Sequence, residues 1–454
     1  METSYDVKVW KIETYRGARA TSYRVRWVVG GHRHGESFLT MPLADAFRSD
    51  LVRAARQGEA FVIESGRPMS MDRAQRKINW LVFARQYAAV KWPTLAPNSR
   101  RNTAHALTSA TMAMISDGRG RPNDAELRKA LTAWAFNLRT SANGTPPDNL
   151  VQALTWLERN TRDVGDLDNA AIARAVLDAM TVNIDGGASA PATVQRQRGV
   201  LVNLAEYAVE RRLLAANPIT GLAWKAPRIV QSVDRRVVVN PTQARALLDA
   251  VGTVKPSGPR LAAFFGAMYY AALRPGEAAT LRKTNLLLPT DGWGELLLES
   301  STPESGASWT DSGRRREERQ LKHRARGETR LVPSPPALTA LLHKHLESIS
   351  TGPDGLLFSG VRGGQLAEST YCRVWRTARK ATLSTDEAAS PLARRPYDLR
   401  HAAVSTWLGA GVPPTQVAEW AGHSVAVLLQ IYAKCLSGQE DAARRRIDAA
   451  LRED

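Results

Sequence analysis

The chain has 454 residues, and its 62 Lys and Arg against 44 Asp and Glu give a formal net charge of +18 and a pI near 10.3. This length exceeds what one ordinary hydrophobic core accommodates, so it excludes a single small domain and predicts two to four domains. An excess of positive charge this large favours a protein that binds nucleic acid. The alternatives are a ribosome-associated protein and a basic protein whose charge only keeps it soluble.

Neither a membrane span nor a disulfide scaffold is indicated. The longest apolar run, Leu261 to Leu273, is too short to cross a bilayer and is typical of a buried helix. The chain opens Met-Glu-Thr-Ser-Tyr-Asp, without the basic and apolar pattern of a secretory signal. Cys372 and Cys435 are the only cysteines, which fits a reducing compartment. We therefore expect a cytoplasmic, nucleoid-associated protein with no membrane partner.

Residues 1–70 are predicted to form a small module of three β-strands and one α-helix. Apolar and basic side chains alternate in Tyr23-Arg-Val-Arg-Trp27, which is the pattern of a half-buried strand. Gly30-Gly31 then makes a turn into a third strand, and a helical pattern follows. A sheet of this kind fits a DNA groove with Arg24 and Arg26 on its exposed face, and a non-binding accessory domain is the alternative.

Residues 71–231 are predicted to form an all-α domain, because apolar side chains recur there at helical spacing. The predicted helices lie near 72–92, from about 99, and near 124–140, 147–159, 168–180 and 192–214. The segment after Asn217-Pro218 is typical of a linker. The basic residues at helix edges that we expect to contact DNA phosphates are Lys91, Arg100, Arg101, Arg196 and Arg198. Each of them alone is equally typical of a solvated surface charge.

Residues 232–454 form the third predicted domain, mainly α-helical with a β-hairpin or small sheet. An apolar helix over residues 260–272 leads into Arg274, and Glu277 is spaced to orient the Arg274 guanidinium. A structural ion pair is the alternative interpretation of this pair alone.

The segment 293–333 is predicted to be an elaborated hairpin with a flexible, arginine-rich tip. Such a tip suits contact with a nucleic acid backbone, and Arg324 is a candidate for it. Lys322 is the candidate general acid, because a departing 5′ alkoxide needs a proton. A solvated loop lysine is the alternative.

Arg400, His423 and Tyr432, near the C-terminus, complete a candidate catalytic set with Arg274. Arg400 and His401 begin a predicted helix, where backbone N–H groups assist phosphate binding. His423 follows a glycine turn, and Tyr432 lies nine residues further on. Two arginines can hold the non-bridging oxygens of one phosphate, and a nearby tyrosine can attack its phosphorus. The combination predicts metal-independent cleavage of a phosphodiester.

These segments resemble the catalytic domain of the tyrosine recombinase, or phage integrase, family. The matching segments are Ala-Leu-Arg274-Pro-Gly-Glu277, the stretch at Lys322, Tyr397-Asp-Leu-Arg400-His401, Ala-Gly-His423 and Ile-Tyr432-Ala, in the family's order. The resemblance extends more loosely to actinobacterial integrases of phages and integrative plasmids. In those proteins an arm-site DNA-binding module precedes a helical core-site DNA-binding domain, which implies the same roles for residues 1–70 and 71–231 here.

The resemblance implies a site-specific integrase that acts on the double-stranded DNA of attachment sites and inserts or excises a mobile element. Tyr432 would form a 3′-phosphotyrosine, while Arg274 and Arg400 neutralise the phosphate, His423 donates to it and Lys322 protonates the leaving oxygen. The family needs no metal or other cofactor. A homotetramer on synapsed DNA is implied, with a predicted tail helix over 439–452 packing on a neighbour, and host DNA-bending or directionality factors are candidate partners.

One position departs from the family pattern. Tyr397 stands where the family usually has histidine, and a phenol with its ordinary pKa of about 10 is a poor base at neutral pH. Tyr397 is therefore expected to hydrogen-bond the phosphate or the nucleophile, with His401 as a neighbouring candidate. The alternatives to an integrase are a DNA-binding regulator without cleavage activity, and a chromosome resolvase or type IB topoisomerase with the same chemistry.

Overall fold

The computed structural model describes most of the chain, and it divides into two compact units, Met1–Arg228 and Ile229–Asp454. The residues outside the description are 1, 18–19, 76, 143, 184–186, 230–231, 323, 326, 353–354, 437–443, 446, 449–450 and 452–454. For 73–75 and 433–436 only the backbone is described. The predicted tail helix over 439–452 falls largely outside the described residues. The further division of the first unit near residue 70 stays a prediction.

The first unit begins with an antiparallel sheet and one long helix. Its elements are β1 Thr3–Ser4, β2 Val7–Val9, β3 Glu13–Arg16, β4 Thr21–Val29, β5 His32–Phe38, α1 Met41–Arg56 and β6 Phe61–Val62. Strand β5 pairs along β4, while β2 and β3 pair with the two halves of the other edge of β4. The sheet therefore has one strand more than the three predicted, because two short strands, β2 and β3, share one edge of β4. Gly30 and Gly31 both have positive φ, as a two-residue hairpin turn requires.

The alternation read from β4 decides which face of this sheet packs. Val25, Trp27 and Val29 are buried in one cluster with Ala44 and Leu51 of α1. The residues between them in β4 point to the opposite face, because successive side chains of a strand alternate. The exposed basic face is therefore a consequence of burying the apolar one.

The rest of the first unit is helical. Its helices are α2 Met69–Gln75, α3 Trp80–Lys91, α4 Pro97–Ala113, α5 Asp124–Ala130, α6 Leu138–Ser141, α7 Asp148–Asn160, α8 Ala170–Asp178, α9 Pro191–Glu210 and α10 Pro218–Gly221. The prediction of one helix over 72–92 is wrong, because Asn79 caps a new helix by accepting bonds from the N–H groups of Leu81 and Val82. A π-helical segment, Leu131–Ala135, likewise divides the helix predicted over 124–140.

The second unit combines helices with small antiparallel sheets. Its helices are α11 Pro241–Thr253, α12 Ala262–Tyr270, α13 Pro275–Ala278, α14 Pro336–Ser348, α15 Glu368–Thr382, α16 Thr385–Ala389, α17 Asp398–Gly409, α18 Pro414–Ala421 and α19 Val425–Leu436. Its strands are β7 Leu286–Leu287, β8 Gly294–Leu298, β9 Ser300–Ser301, β10 Arg319–Gln320 and β11 Arg330–Ser334. The sheet order is β11-β8-β7, and β9 pairs with β10 separately.

Helix α12 is the centre of this unit. It is apolar all round and packs against α11, α14 and α17, as an enclosed helix must. Helix α17 in turn contacts α18 and α19, and α18 contacts β11. These packings bring the ends of α12, β11, α17, α18 and α19 to one place. Within the described part of the chain, no helix combines the length and apolar character needed to cross a membrane.

Candidate active site

Arg274 and Glu277 form a tight loop immediately after the central apolar helix. Glu277 accepts from the backbone N–H of Arg274 at 2.8 Å and from its Nη1 at 2.7 Å. The other terminal nitrogen, Nη2, donates to the carbonyl of Gly422 at 2.8 Å. Burial lowers the pKa of Arg274, but Glu277 and Tyr397 outweigh this effect and raise it, so the group keeps its proton. Glu277 therefore holds the Arg274 guanidinium through these bonds, as the orienting role predicted from the sequence requires.

Arg400 lies in the first turn of α17 and is completely buried. Its Nη1 donates to the carbonyl of Ala272, and its Nη2 donates to the carbonyl of Ala421 and contacts His423 Nε2 at 2.9 Å. Ala272 has a φ of 50°, a conformation that is costly for a residue other than glycine and that turns its carbonyl toward the arginine. Burial lowers the pKa of Arg400 to about 10, which still leaves it charged at neutral pH.

A third arginine, Arg330, shares the carboxylate of Glu277. Arg330 Nη2 donates to Glu277 Oε2 at 2.9 Å, and Arg400 Nη1 lies 4.0 Å from the same oxygen. Burial raises the pKa of the Glu277 carboxyl, but Arg330, Arg274 and Arg400 together lower it to about 2. One fully ionised carboxylate therefore stands among three guanidiniums.

Sequence reasoning missed Arg330. Its signal was nevertheless available, because Arg330 precedes Leu331 and Val332 on a strand whose buried and exposed positions alternate. An arginine in phase with the buried valine places a charge on the apolar face, which requires a partner. The sequence alone gave no indication that this partner is Glu277.

His423 follows a helix end that only glycine forms without strain. Gly422 has a φ of 63° at the end of α18, and the next N–H, that of His423, donates back to Ala418 at 2.9 Å. Burial, with Arg400 and Arg274, lowers the pKa of His423 to about 3, so its imidazole is neutral at pH 7. Because Arg400 donates to Nε2, the ring proton belongs on Nδ1, which is buried without a hydrogen-bond partner among the described residues.

Tyr432 lies beside these groups and is 1% exposed. Its hydroxyl is 2.8 Å from Nδ1 of His401, and its ring stacks at 6.3 Å from the His423 ring. Burial lowers the pKa of His401 to about 4, so this imidazole is also neutral at pH 7 and can accept the phenolic proton. Tyr432 lies close enough to Arg400 to offset a small part of the lowering of the Arg400 pKa that burial causes.

Tyr397 immediately precedes α17 and is half-buried. It lies close enough to Arg274 to raise the pKa of that guanidinium, and its ring meets the His401 ring edge-on at 5.2 Å. The structure thus brings together five of the six predicted catalytic residues, namely Arg274, Tyr397, Arg400, His423 and Tyr432.

Lys322 is the residue that the structure does not bring into this cluster. It is exposed in the turn after β10, and no hydrogen bond or ion pair of Lys322 is found in the described part of the chain. The prediction of a wholly flexible arginine-rich tip is wrong, because Arg316 is 4% exposed and bonds the carbonyls of Leu366 and Thr302. Arg324 pairs with Glu328 at 3.0 Å.

The predicted DNA-contacting residues of the first unit divide by exposure. Those at the surface are Arg24, Arg101 and Arg196, and those half-buried are Arg26, Lys91 and Arg198. Arg26 lies 3.2 Å from Glu13. The expectation that Arg100 lies at an exposed helix edge is wrong, because it is 3% exposed, lies 4.6 Å over the Trp92 ring and donates to the Trp92 carbonyl.

The cluster has the chemistry of an anion site beside a nucleophile. Three guanidiniums and the Nδ1–H of His423 supply donors, while His401 supplies a proton acceptor on the Tyr432 hydroxyl. Among the described residues, no group of three His, Cys, Asp or Glu side chains is placed to hold a metal ion. The arrangement therefore suits attack by a phenol on a tetrahedral oxyanion such as a phosphodiester.

Comparison with known proteins places the same part of the chain in context. The sequence model of the phage integrase family matches residues 238–437. A tyrosine recombinase XerC from Mesorhizobium japonicum is 29% identical over 227 residues, which are 49% of this chain. The chain spans 62% of the length of that curated relative.

Solved structures to which the chain is similar include the Tn1549 transposon integrase in complex with circular intermediate DNA. It has a TM-score of 0.49 and 13% identity and covers 71% of this chain and 99% of its own. The XerH site-specific recombinase bound to difH has a TM-score of 0.46 and 15% identity, and the match covers 83% of this chain and 96% of XerH. A lambda integrase dimer bound to a core site has a TM-score of 0.43 and 14% identity, and the match covers 69% of this chain and 77% of the lambda integrase chain.

Proposed function

We propose, because this chain belongs to the phage integrase family, that it is a site-specific DNA recombinase that cuts and rejoins double-stranded DNA through a 3′-phosphotyrosine. The single observation that carries the proposal is the meeting of Tyr432 with the buried Arg400 and His423. A tyrosine with only a packing role would not need two arginines and two neutral histidines around it.

The cleavage step follows from the bonds in this cluster. The Tyr432 oxygen forms a bond to the scissile phosphorus, and the bond from phosphorus to the 5′ oxygen breaks. Arg274 and Arg400 neutralise the non-bridging oxygens, on which negative charge grows, and the Nδ1–H of His423 donates to one of them. The linkage keeps the phosphodiester energy, so a 5′ hydroxyl from a second DNA strand attacks the phosphotyrosine and releases the Tyr432 oxygen.

The phenolic proton passes to His401 in this mechanism. The imidazole is neutral at pH 7 and its Nδ1 lies 2.8 Å from the hydroxyl, within the distance that proton transfer needs. Tyr397, which stands where the family usually has histidine, is proposed to orient Arg274, whose pKa it raises. In this mechanism Tyr397 orients Arg274, and His401 accepts the proton of Tyr432.

Lys322 is proposed as the acid that protonates the departing 5′ oxygen. Its exposure in the turn after β10 suits this role only if DNA draws the turn toward the cluster. The departing oxygen otherwise leaves as an alkoxide, which is a poor leaving group, so loss of Lys322 should be offset by a better leaving group such as a 5′-bridging sulfur.

The partner in this proposal is the DNA of attachment sites, and the element is a mobile one. The exposed basic residues of the sheet and helices of the first unit are proposed to bind arm-type and core-type sites, with Arg24 on the sheet and Arg101 and Arg196 on helices. A homotetramer on synapsed DNA, in the nucleoid, is the assembly that two paired exchanges require. Directionality or DNA-bending factors of the host are further candidate partners.

A DNA substrate with a nick near the cut site tests the proposal, because loss of the short fragment traps the covalent adduct. We expect adduct from the wild type, none from Tyr432→Phe, and normal adduct from Tyr270→Phe, which removes another hydroxyl of the same unit. Arg400→Ala should bind the same DNA and form no adduct. Binding without adduct by the wild type would instead favour a regulator that has lost cleavage.

A second assay, on supercoiled plasmids, distinguishes a recombinase from a type IB topoisomerase. A topoisomerase relaxes supercoiled plasmid of any sequence, whereas the proposed enzyme needs a matched pair of sites to exchange strands. Recombinant product from two sites, and no relaxation of a plasmid without a site, would support the integrase.

A further inference from the structure

The strongest unexplained feature of the second unit is the hydrogen bonding of Arg330. This side chain is fully buried, and its Nη2 donates to Glu277 Oε2 at 2.9 Å. Among the described residues, neither Nε nor Nη1 of Arg330 has a hydrogen-bond acceptor. Buried donors left unpaired cost free energy, so a protein retains them where a ligand supplies the acceptor.

A second buried arginine of the same unit shows what full pairing looks like. Arg316 donates from Nε to Leu366 at 2.7 Å, from Nη1 to Thr302 and from Nη2 to Glu304 at 3.4 Å. Its role is structural, because it ties backbone carbonyls together. Arg330 differs, since two of its donors are held in place by Glu277 without being used.

The unused Nη1 of Arg330 lies against Gly422, on the side of the cluster that Arg274 also reaches. A side-chain carbon added to Gly422 would overlap the Arg330 guanidinium and would come within 3.3 Å of Arg274 Nη1. The two guanidiniums therefore flank the same glycine, which is the residue before His423. The absence of a side chain at Gly422 makes room for the Arg330 guanidinium beside Arg274.

The charges of the cluster point in the same direction. Arg274, Arg330 and Arg400 carry three positive charges and Glu277 one negative charge, while His401 and His423 are neutral at pH 7. The net charge is therefore two positive. A phosphodiester carries one negative charge, and it gains a second as tyrosine oxygen adds and the five-coordinate phosphorus forms. With Arg330 the cluster matches the transition state, and without it the cluster matches only the ground state.

We propose that Arg330 is a third phosphate-neutralising arginine, held beside Arg274 by Glu277 and directing its Nε–H and Nη1–H to a non-bridging oxygen of the scissile phosphate. The proposal rests on the proposed function, because it assigns a residue to that same reaction. Glu277 is then a positioning residue that keeps three like charges together.

The first test measures single-turnover adduct formation on the nicked substrate by Arg330→Met and Arg330→Lys. The matched control is Arg316→Lys, which alters an equally buried arginine whose donors are all used within the protein. We expect Arg330→Met to slow adduct formation on the order of 100-fold, as loss of one preorganised donor group does, with DNA binding preserved. The Arg316→Lys protein should cleave at the wild-type rate if it folds.

The second test separates a role toward phosphate from a role in folding. A methylphosphonate at the scissile position replaces one non-bridging oxygen by a methyl group and so removes one negative charge from the transition state. We expect Arg330→Met and the wild type to form adduct from one methylphosphonate diastereomer at the same rate. A folding defect would slow both substrates equally, because the protein's stability does not depend on which substrate is offered.

The outcomes are distinguishable. Equal slowing of both substrates, or wild-type cleavage of the phosphate by Arg330→Met, would overturn the role of Arg330 and leave the proposed function intact. Absence of adduct from the wild type on either substrate would overturn the proposed function itself. If the methionine variant does not fold, Arg330→Lys carries the same comparison of substrates.

Discussion

Replacement of Glu277 by glutamine tests whether one buried carboxylate holds the cluster together. Burial alone would raise the pKa of this carboxyl, yet the three arginines lower it from 4.5 to about 2. A shift of this size corresponds to ~3 kcal/mol of stability at neutral pH. Glu277→Gln also leaves three guanidiniums without a counter-charge, so we expect a total loss of ~3–5 kcal/mol.

The pH dependence of this loss has a definite sign. A carboxyl whose pKa is lower in the folded state stabilises that state above its unfolded pKa of about 4.5, and the stabilisation disappears as the pH falls through about 2. The difference in unfolding free energy between wild type and Glu277→Gln should therefore be constant from pH 7 to pH 5. It should shrink progressively between pH 4.5 and pH 2.

Urea unfolding of the full chain at a series of pH values measures this difference. The matched control is Glu387→Gln, because the Glu387 carboxylate is only half-buried and contacts Gln243 and Ser384 rather than an arginine. That variant should lose much less stability at pH 7. The reasoning would be refuted if Glu277→Gln were as stable as the wild type, or if its deficit did not change between pH 5 and pH 2.

Three further predictions concern single residues. His401→Asn should slow adduct formation on the order of 100-fold. The single-turnover rate of the wild type should not change with pH above 5 and should fall as the pH drops through about 4, because the His401 imidazole then gains a proton. A His401→Asn variant with the wild-type rate would exclude His401 as the proton acceptor. Gly422→Ala should abolish adduct formation, because its φ of 63° and the nearby guanidinium exclude a side chain. Gly292→Ala, at a φ of 93° with no atom within 4 Å of the added carbon, should keep the chemistry. Equal activity of the two variants would contradict this prediction. Arg100→Met should lower the unfolding free energy by ~1–2 kcal/mol, because it removes the contact with Trp92. Arg101→Met should weaken DNA binding with little change in stability. The reverse pattern in urea titrations and binding assays would show that the two roles are misassigned.

Much of the local structure followed from sequence patterns. The alternation in Tyr23–Trp27 identified β4, the paired glycines identified its turn, and the apolar run after Leu261 identified the buried helix α12. These signals are strong because burying one face of a strand, or all sides of a helix, fixes the residue type at each position. The break before Trp80 was missed, because an asparagine cap is a weaker signal than a continuous apolar stripe.

The chemical identity of the candidate site also lay in the sequence. Arg274, Arg400, His423 and Tyr432 were recognisable by type and spacing, and the structure brings all four into one cluster. Spacing succeeds there because Arg400 and Tyr432 lie on short helices close together in the chain, with His423 in the turn before the second of them.

Tertiary packing alone decided the electrostatics of the site and the fate of single charges. Arg330 on β11 pairs with Glu277 in α13, a contact between segments 53 residues apart in the chain. Arg100 turned inward and Lys322 stayed in solvent, although both are basic residues in polar segments. A charged side chain carries no periodic signal of its own, so its burial depends on which distant atoms surround it, and only the assembled fold supplies those atoms.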